Sequence, residues 1–432
     1  MNTPNRAQYQ DVLFSFLAFA FLLPVTAQYL AAFCCVLFLA SRARWRLVWG
    51  PGDTRPEICR QFTRVLRPMH LGVALYVASL VLAALLAMLL SPYHPSIRDT
   101  SRVLSHLILK QGLLWFLLST TVAAALADGW APARVTRSWI LLASLYLIYV
   151  MVQRHTGIDW VHGFSARLPA NRFAYDVWRP SGWMGHPLTL AYNASLALLV
   201  MAVVALPPTP APQRLGRWCF SVILPAFIVL LTASRWPVLA LALIGLGFSL
   251  PHLRRWRWWI LGLGIAFAAI IFFEGTLLQR GVEIFTTNRP LVERFPRVAF
   301  WHVHWNMFLD NPLTGVGIAS ADSALVDYYA AAGYNSLIEK YSAHQIILQT
   351  LADSGLIGML GLIGLWIGLG RSAREARREH LPTSASRGLW ALLLASILFG
   401  LMQNNLRDTE FLYALWLGAA FVVAHGLRPD AT

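Results

Sequence analysis

The sequence predicts an all-α polytopic membrane protein, on three observations. Of 432 residues, 57% are hydrophobic and only 13% are charged, and the mean hydropathy is +0.55, so polar side chains are too few to cover a water-soluble globule of this length. Apolar runs of membrane-helix length recur along the whole chain. Basic residues gather in every second connection between those runs.

A spanning helix takes about 20 apolar residues, fewer inside a bundle, which gives about twelve candidates. Residues 12–23 and 25–40 form a first pair divided by Pro24, which breaks or kinks a helix. The N-terminal MNTPNRAQYQ lacks a basic stretch followed by a cleavage site, so the first run reads as a retained membrane segment. Residues 71–90, 107–127 and 139–152 follow, then 188–206, 218–231, 237–250 and 258–273, and finally 356–370, 389–402 and 411–424.

Orientation follows from the arginines. With the N-terminus cytoplasmic, the inside connections hold Arg42 to Arg67, then Arg134 and Arg137, Arg214 and Arg217, Arg254 to Arg257, and Arg371 to Arg387. The formal charge of +15 is thus mostly a topology signal and an attraction to anionic membrane lipid, and no nucleic-acid partner is expected. Cys34, Cys35, Cys59 and Cys219 lie in or beside apolar runs without metal or disulfide spacing and read as inert.

The opposite face carries two longer intervals, 153–187 and 274–343, the tight turn at Ser234-Arg235 and the turn 404–410. With no internal repeat, residues 1–432 read as one integral membrane domain with two extracytoplasmic insertions. The longer one, roughly 70 residues before the third-last helix, exceeds an ordinary loop and should hold helices of its own. Pro296 opens one that reaches about residue 309 and stops at Asn311-Pro312, with Arg297, Trp301, His304, Trp305 and Phe308 spaced along one face. A second helix runs from about Asp322 to Ala332.

Several residues on this face have the chemistry of a site. Arg235, in TASRWPVLALAL, has almost no polar chain around it. Its guanidinium either binds an anionic group such as a phosphate, or snorkels to headgroups or pairs internally. Arg297 is either part of a charge clamp with Trp301 and Trp305 or an ordinary surface arginine beside interfacial aromatics. In KYSAHQIILQTLADSGLIG, Ser342 and Gln345 have the form of a capping box, which puts His344 in a first helical turn where the dipole favours neutral imidazole. Such a group can act as a general base, or can be an inert interfacial histidine. His186, between Gly185 and Pro187, more simply shapes the start of a helix. Asp353 and Glu339 are the nearest carboxylates in sequence to His344. His302 and His304 fall on different helix faces, and without HExxH, DxD or clustered Asp no metal, nucleotide or other cofactor is expected.

Four stretches in order, GHPLTLAYNASLAL, LLTASRWPVLALAL, RVAFWHVHWNMFLDNPLTGVG and AHQIILQTLADSGLIG, resemble the O-antigen ligase and polymerase superfamily of bacterial envelope glycosyltransferases. The arginine before Trp301, then NPLTGVG, then His344 with Gln349 and the Gly355/Gly358 pair are its most specific part, and the first half of the chain is similar only in hydrophobicity and topology. The resemblance implies a GT-C-like, metal-independent inner-membrane enzyme whose donor is a glycan on undecaprenyl diphosphate. It implies His344 as periplasmic general base, Arg235 and Arg297 as diphosphate clamps, inversion at the anomeric carbon, and lipid A-core or another glycan as acceptor. His186, Trp301, Trp305, Gln345 and Asp353 are accessory candidates. The chain departs from the common pattern at Gln345, where Asn is usual, and at Asp353, where Glu is usual. A ligase leads; a polymerase joining lipid-linked repeats, a protein O-glycosyltransferase and, in a different class, a lipid-linked oligosaccharide transporter are the other readings. Helices almost free of charge, apart from Lys110, and halves that look unlike favour an enzyme over a transporter.

Overall fold

The computed structural model describes residues 3–40, 48, 55–161, 166–169, 172–174, 177–205, 212–249, 296–334 and 342–428. Within them, eight helices are long and apolar enough to cross a membrane, and three shorter apolar helices, Tyr9–Leu22, Val25–Leu39 and Arg235–Phe248, accompany them. The chain is an all-α polytopic membrane protein. The eight and the three account for eleven of the expected segments, and the other, 258–273, lies outside the described residues.

In chain order, α1 (Thr3–Phe19) unwinds through a 3-10 turn before Pro24, and α2 is Val25–Leu39. Then come α3 (Glu57–Leu90), α4 (Ile97–Leu107), which passes through a π turn at Ile108–Leu113 into α5 (Leu114–Ala127), and α6 (Thr136–Thr156). Two-residue strands β1 (Phe173–Ala174) and β2 (Val177–Trp178) pair antiparallel. Helices α7 (Pro187–Val204), α8 (Pro212–Leu231) and α9 (Arg235–Ser249) follow; α10 (Pro296–Asp310) and α11 (Ala321–Ala331) lie in the long insertion; α12 (Ile346–Arg378), α13 (Thr383–Gly400) and α14 (Thr409–Leu427) end the fold.

Two expectations are corrected here. The basic connection after α2 is helical from Glu57, where Glu57 pairs with Arg60 and Arg64, 2.6 and 3.0 Å away, and holds a charged first turn in helical form. The apolar run at 356–370 is only the middle of a longer helix, because Ile346–Ser354 is joined to it across a break and the basic stretch to Arg378 continues it.

The chain divides into two compact units, one of residues Met1–Cys34, Gly129–Asn288 and Arg428–Thr432, the other of Cys35–Asp128 and Arg289–Leu427. In the first, α8 packs on α6 and α7, and α1 lies on α6. In the second, α14 is buried almost all round, as expected of a helix apolar on every face. Helices α3 and α12 run together at close range: a Cβ on Gly72 would stand 2.9 Å from the Gly364 carbonyl oxygen, and one on Gly368 would stand 2.6 Å from that of Pro68. Small residues permit that approach.

The break in α12 positions the functional face of the second unit. Gly355 has φ 60 and ψ −157, a conformation essentially reserved for glycine. The backbone groups it releases are taken up by the NPLTGVG loop: Leu356 N–H donates to Pro312 O at 2.9 Å, Ile357 N–H to Leu313 O at 3.2 Å, and Val316 N–H to Ala352 O at 2.9 Å. Interrupted helices are tolerated at membrane depth only where other chain satisfies them in this way. The loop's Gly315 (φ 62) lies so close that a Cβ there would overlap the Ala352–Ser354 backbone, and a Cβ on Gly355 would overlap Leu313. Gly355→Ala is therefore expected to cost about 1–3 kcal/mol in backbone strain alone. Thermal unfolding in detergent checks this against Gly216→Ala, where a Cβ meets open space; equal melting temperatures would refute the account of the break.

Candidate active site

In the second unit, α10 and the start of α12 enclose His344. The helix does not begin at Ser342. Gln345 is the N-cap, extended at φ −157 and ψ 121, and its side-chain oxygen accepts the Leu348 N–H at 2.6 Å. His344 thus precedes the helix in a left-handed conformation (φ 48), a backbone state that non-glycine residues adopt mainly where surrounding contacts hold it. The preceding residue is held at both its N–H and its C=O: Ala343 N–H donates to Gln349 Oε1 at 2.8 Å, and Ala343 O accepts the Trp301 indole N–H at 3.1 Å.

Gln349 is tied in turn to Asp353, whose Oδ2 accepts the Gln349 amide N–H at 2.8 Å. The same oxygen forms an ion pair with Arg407. Asp353 is fully buried just before the α12 break, and the Arg407 side chain is 25% exposed. Asp353 therefore braces the peptide before the histidine and does not engage the imidazole; Glu339 lies outside the described residues.

The imidazole partner is Gln403, which follows α13. Its Oε1 lies 2.9 Å from His344 Nδ1, and because an amide oxygen only accepts, this arrangement suits a proton on Nδ1 and a lone pair on Nε2. Burial pushes the imidazole pKa below 6.5; the Gln403 hydrogen bond opposes that, and the Arg297 charge adds to it. The expected neutral form is thus favoured by desolvation and a nearby cation, with His344 lying ahead of the first helical turn. Phe300 flanks the ring at a centroid distance of 5.8 Å.

Arg297, in the first turn of α10, is half-buried, and its Nη1–H donates to Met402 Sδ at 2.9 Å. The face read from spacing divides. Trp301 turns to Ala343, and His304 is fully buried, its Nδ1 2.7 Å from Phe300 O. Trp305 is 44% exposed and packs on Phe308 at 5.3 Å between ring centroids.

In the first unit, Arg235 is exposed and opens α9 after a turn in which Ala233 is left-handed (φ 52). That turn is held by arginines absent from the sequence reading. Arg154 donates to Leu231 O at 2.7 Å, and Arg179 approaches Thr232 O at 3.4 Å and Ser234 Oγ at 3.5 Å; a third, Arg172, holds instead the segment before α7, donating to Gly185 O at 2.6 Å. The signal was available, since all three lie in the interval 153–187 on the side where the topology rule does not account for arginine. His186 caps α7, its Nδ1 accepting the Leu188 N–H at 3.1 Å, with Pro187 in the first turn. Among the described residues, no group of three or more His, Cys, Asp or Glu side chains is placed to hold a metal ion.

Residues 220–363 match the family model described as O-antigen ligase. This third of the chain is similar to an O-antigen ligase domain. The matched third of the sequence includes Arg235, Arg297, His344 and Asp353 and the whole NPLTGVG loop, while His186, Gln403 and Arg407 lie outside it. No curated protein matches the chain. The domain supports glycosyltransferase activity of the ligase or polymerase type, acting on lipid-linked glycans in general.

Proposed function

We propose that this protein works in the bacterial inner membrane with its site on the periplasmic side. There it transfers a glycan from undecaprenyl diphosphate to a sugar hydroxyl of lipid A-core. The observation that carries this reading is the 2.9 Å contact of His344 Nδ1 with Gln403 Oε1, which suits a neutral imidazole with Nε2 as the basic atom. The acceptor hydroxyl oxygen attacks the anomeric carbon, its proton passes to Nε2, and the bond from that carbon to the diphosphate oxygen breaks with inversion. The diphosphate leaves with its charge, which arginine neutralises without a proton or a metal ion. Arg235 and Arg297 take that role. Trp301 supports the base through Ala343, and Trp305, exposed on the same helix, is available to a sugar face.

The deciding experiment offers the purified protein a defined lipid-linked glycan together with lipid A-core and a second lipid-linked repeat. Glycan on lipid A-core is the expected product. A lengthened lipid-linked chain identifies a polymerase, and absence of transfer to either acceptor overturns the reading.

A further inference from the structure

Gln403 lies outside the sequence motifs and beyond the matched domain, yet it makes the hydrogen bond to the His344 ring. The turn that delivers it is fastened on several sides. Arg297 reaches Met402 Sδ at 2.9 Å, Asn405 Nδ2–H donates to Ser396 O at 3.2 Å, Gln111 Nε2–H donates to Leu406 O at 2.5 Å, and Arg407 is paired with Asp353. On the other side, the peptide before His344 is fixed by Gln349 and Trp301. Backbone and ring are thus each held by hydrogen bonds, an arrangement that favours one ring orientation and one tautomer.

We infer that Gln403 is the positioning residue of the base: it fixes the Nδ1–H tautomer, aims Nε2 at the acceptor hydroxyl, and does so without bringing a negative charge to the imidazole. This rests on the reading of His344 as general base. A carboxylate at this position would stabilise imidazolium and leave the base protonated over more of the pH range. The charge acting on the ring is that of Arg297 on α10; His304 on the same helix also interacts with His344, and it is His304 that feels Asp353 on α12 and Arg407 after α13. The Asp353 charge is already matched by Arg407, so Arg297 and the amide leave the surroundings of His344 without an unmatched anion. Burial acts in the same direction as Arg297. The wild-type acid limb of kcat/KM should therefore fall below 6.5, the ordinary histidine value.

The test is the pH dependence of kcat/KM for transfer by the full-length protein, comparing wild type, Gln403→Glu and Gln403→Leu, with His344→Ala as reference. Gln403→Glu, nearly the same shape, should move the acid limb up by about one pH unit or more while keeping transfer above that limb. Gln403→Leu should lower kcat by about tenfold or more, with little change in KM for donor or acceptor. An acid limb for Gln403→Glu that superposes on wild type, or full transfer by Gln403→Leu, overturns the inference. If His344→Ala is inactive while Gln403→Glu leaves the profile unmoved, the positioning role falls and the general base stands. If His344→Ala is fully active, both fall.

Discussion

Replacing His344 with alanine is expected to lower glycan transfer by about 10²- to 10⁴-fold, the usual contribution of a general base, or about 3–5 kcal/mol of barrier. The donor should still bind, because the imidazole acts on the acceptor proton and the charge of the diphosphate is met elsewhere. Arg235→Ala should show the opposite pattern, with donor affinity falling about tenfold or more, since a charge-assisted hydrogen bond contributes about 1.5–3 kcal/mol. Single-turnover transfer and equilibrium binding of the lipid-linked donor separate the two. Wild-type transfer by His344→Ala would remove the base from the mechanism, and unaltered donor affinity of Arg235→Ala would remove the clamp. The left-handed backbone at His344 (φ 48) sharpens the first prediction. A residue in that state is costly unless its surroundings impose it, and here Gln349 and Trp301 impose it through Ala343.

The second large effect is expected at the Asp353–Arg407 pair. Asp353 has no exposure while the Arg407 side chain is 25% exposed, so removing Arg407 leaves a buried carboxylate unmatched, at a cost of about 3–5 kcal/mol, and removing Asp353 leaves a guanidinium that still reaches solvent. Arg407→Ala should lower the melting temperature in detergent sharply, and Asp353→Ala should lower it less. Asp353→Leu combined with Arg407→Met should recover most of it, because an apolar pair of similar volume removes the desolvation penalty together with the attraction. Transfer should stay low in that double variant, since Gln349 loses its carboxylate and the Ala343 peptide loses its brace. Single variants as stable as wild type would show that the pair is not structural, and a stable, fully active double variant would show that the brace does not serve the base.

Much of the fold was legible because membrane insertion writes itself into composition. Apolar runs, Pro24, Pro296 and Asn311-Pro312 marked segments and breaks that depend on local chain chemistry, and arginine placement supplied an expected orientation. Helix ends were less legible. Charged first and last turns such as those at Glu57 and Arg378 read as loop by hydropathy, yet are helical through their own ion pairs and backbone bonds. The cap at Ser342 was misplaced because Gln345 fills that role while Gln349, a turn later, takes the N–H of Ala343.

The sequence by itself determined the class of protein, the residues with unusual chemistry and the motif order that resembles an O-antigen ligase, because each is encoded by residue type and local spacing. Only the tertiary structure decided what those residues touch. It paired Asp353 with Arg407, far along the chain, and gave His344 a neutral partner in Gln403, 59 positions away. It also made the Gly355 break stable by supplying carbonyls from Pro312 and Leu313. Such contacts depend on where distant segments of chain meet, and no local spacing records that.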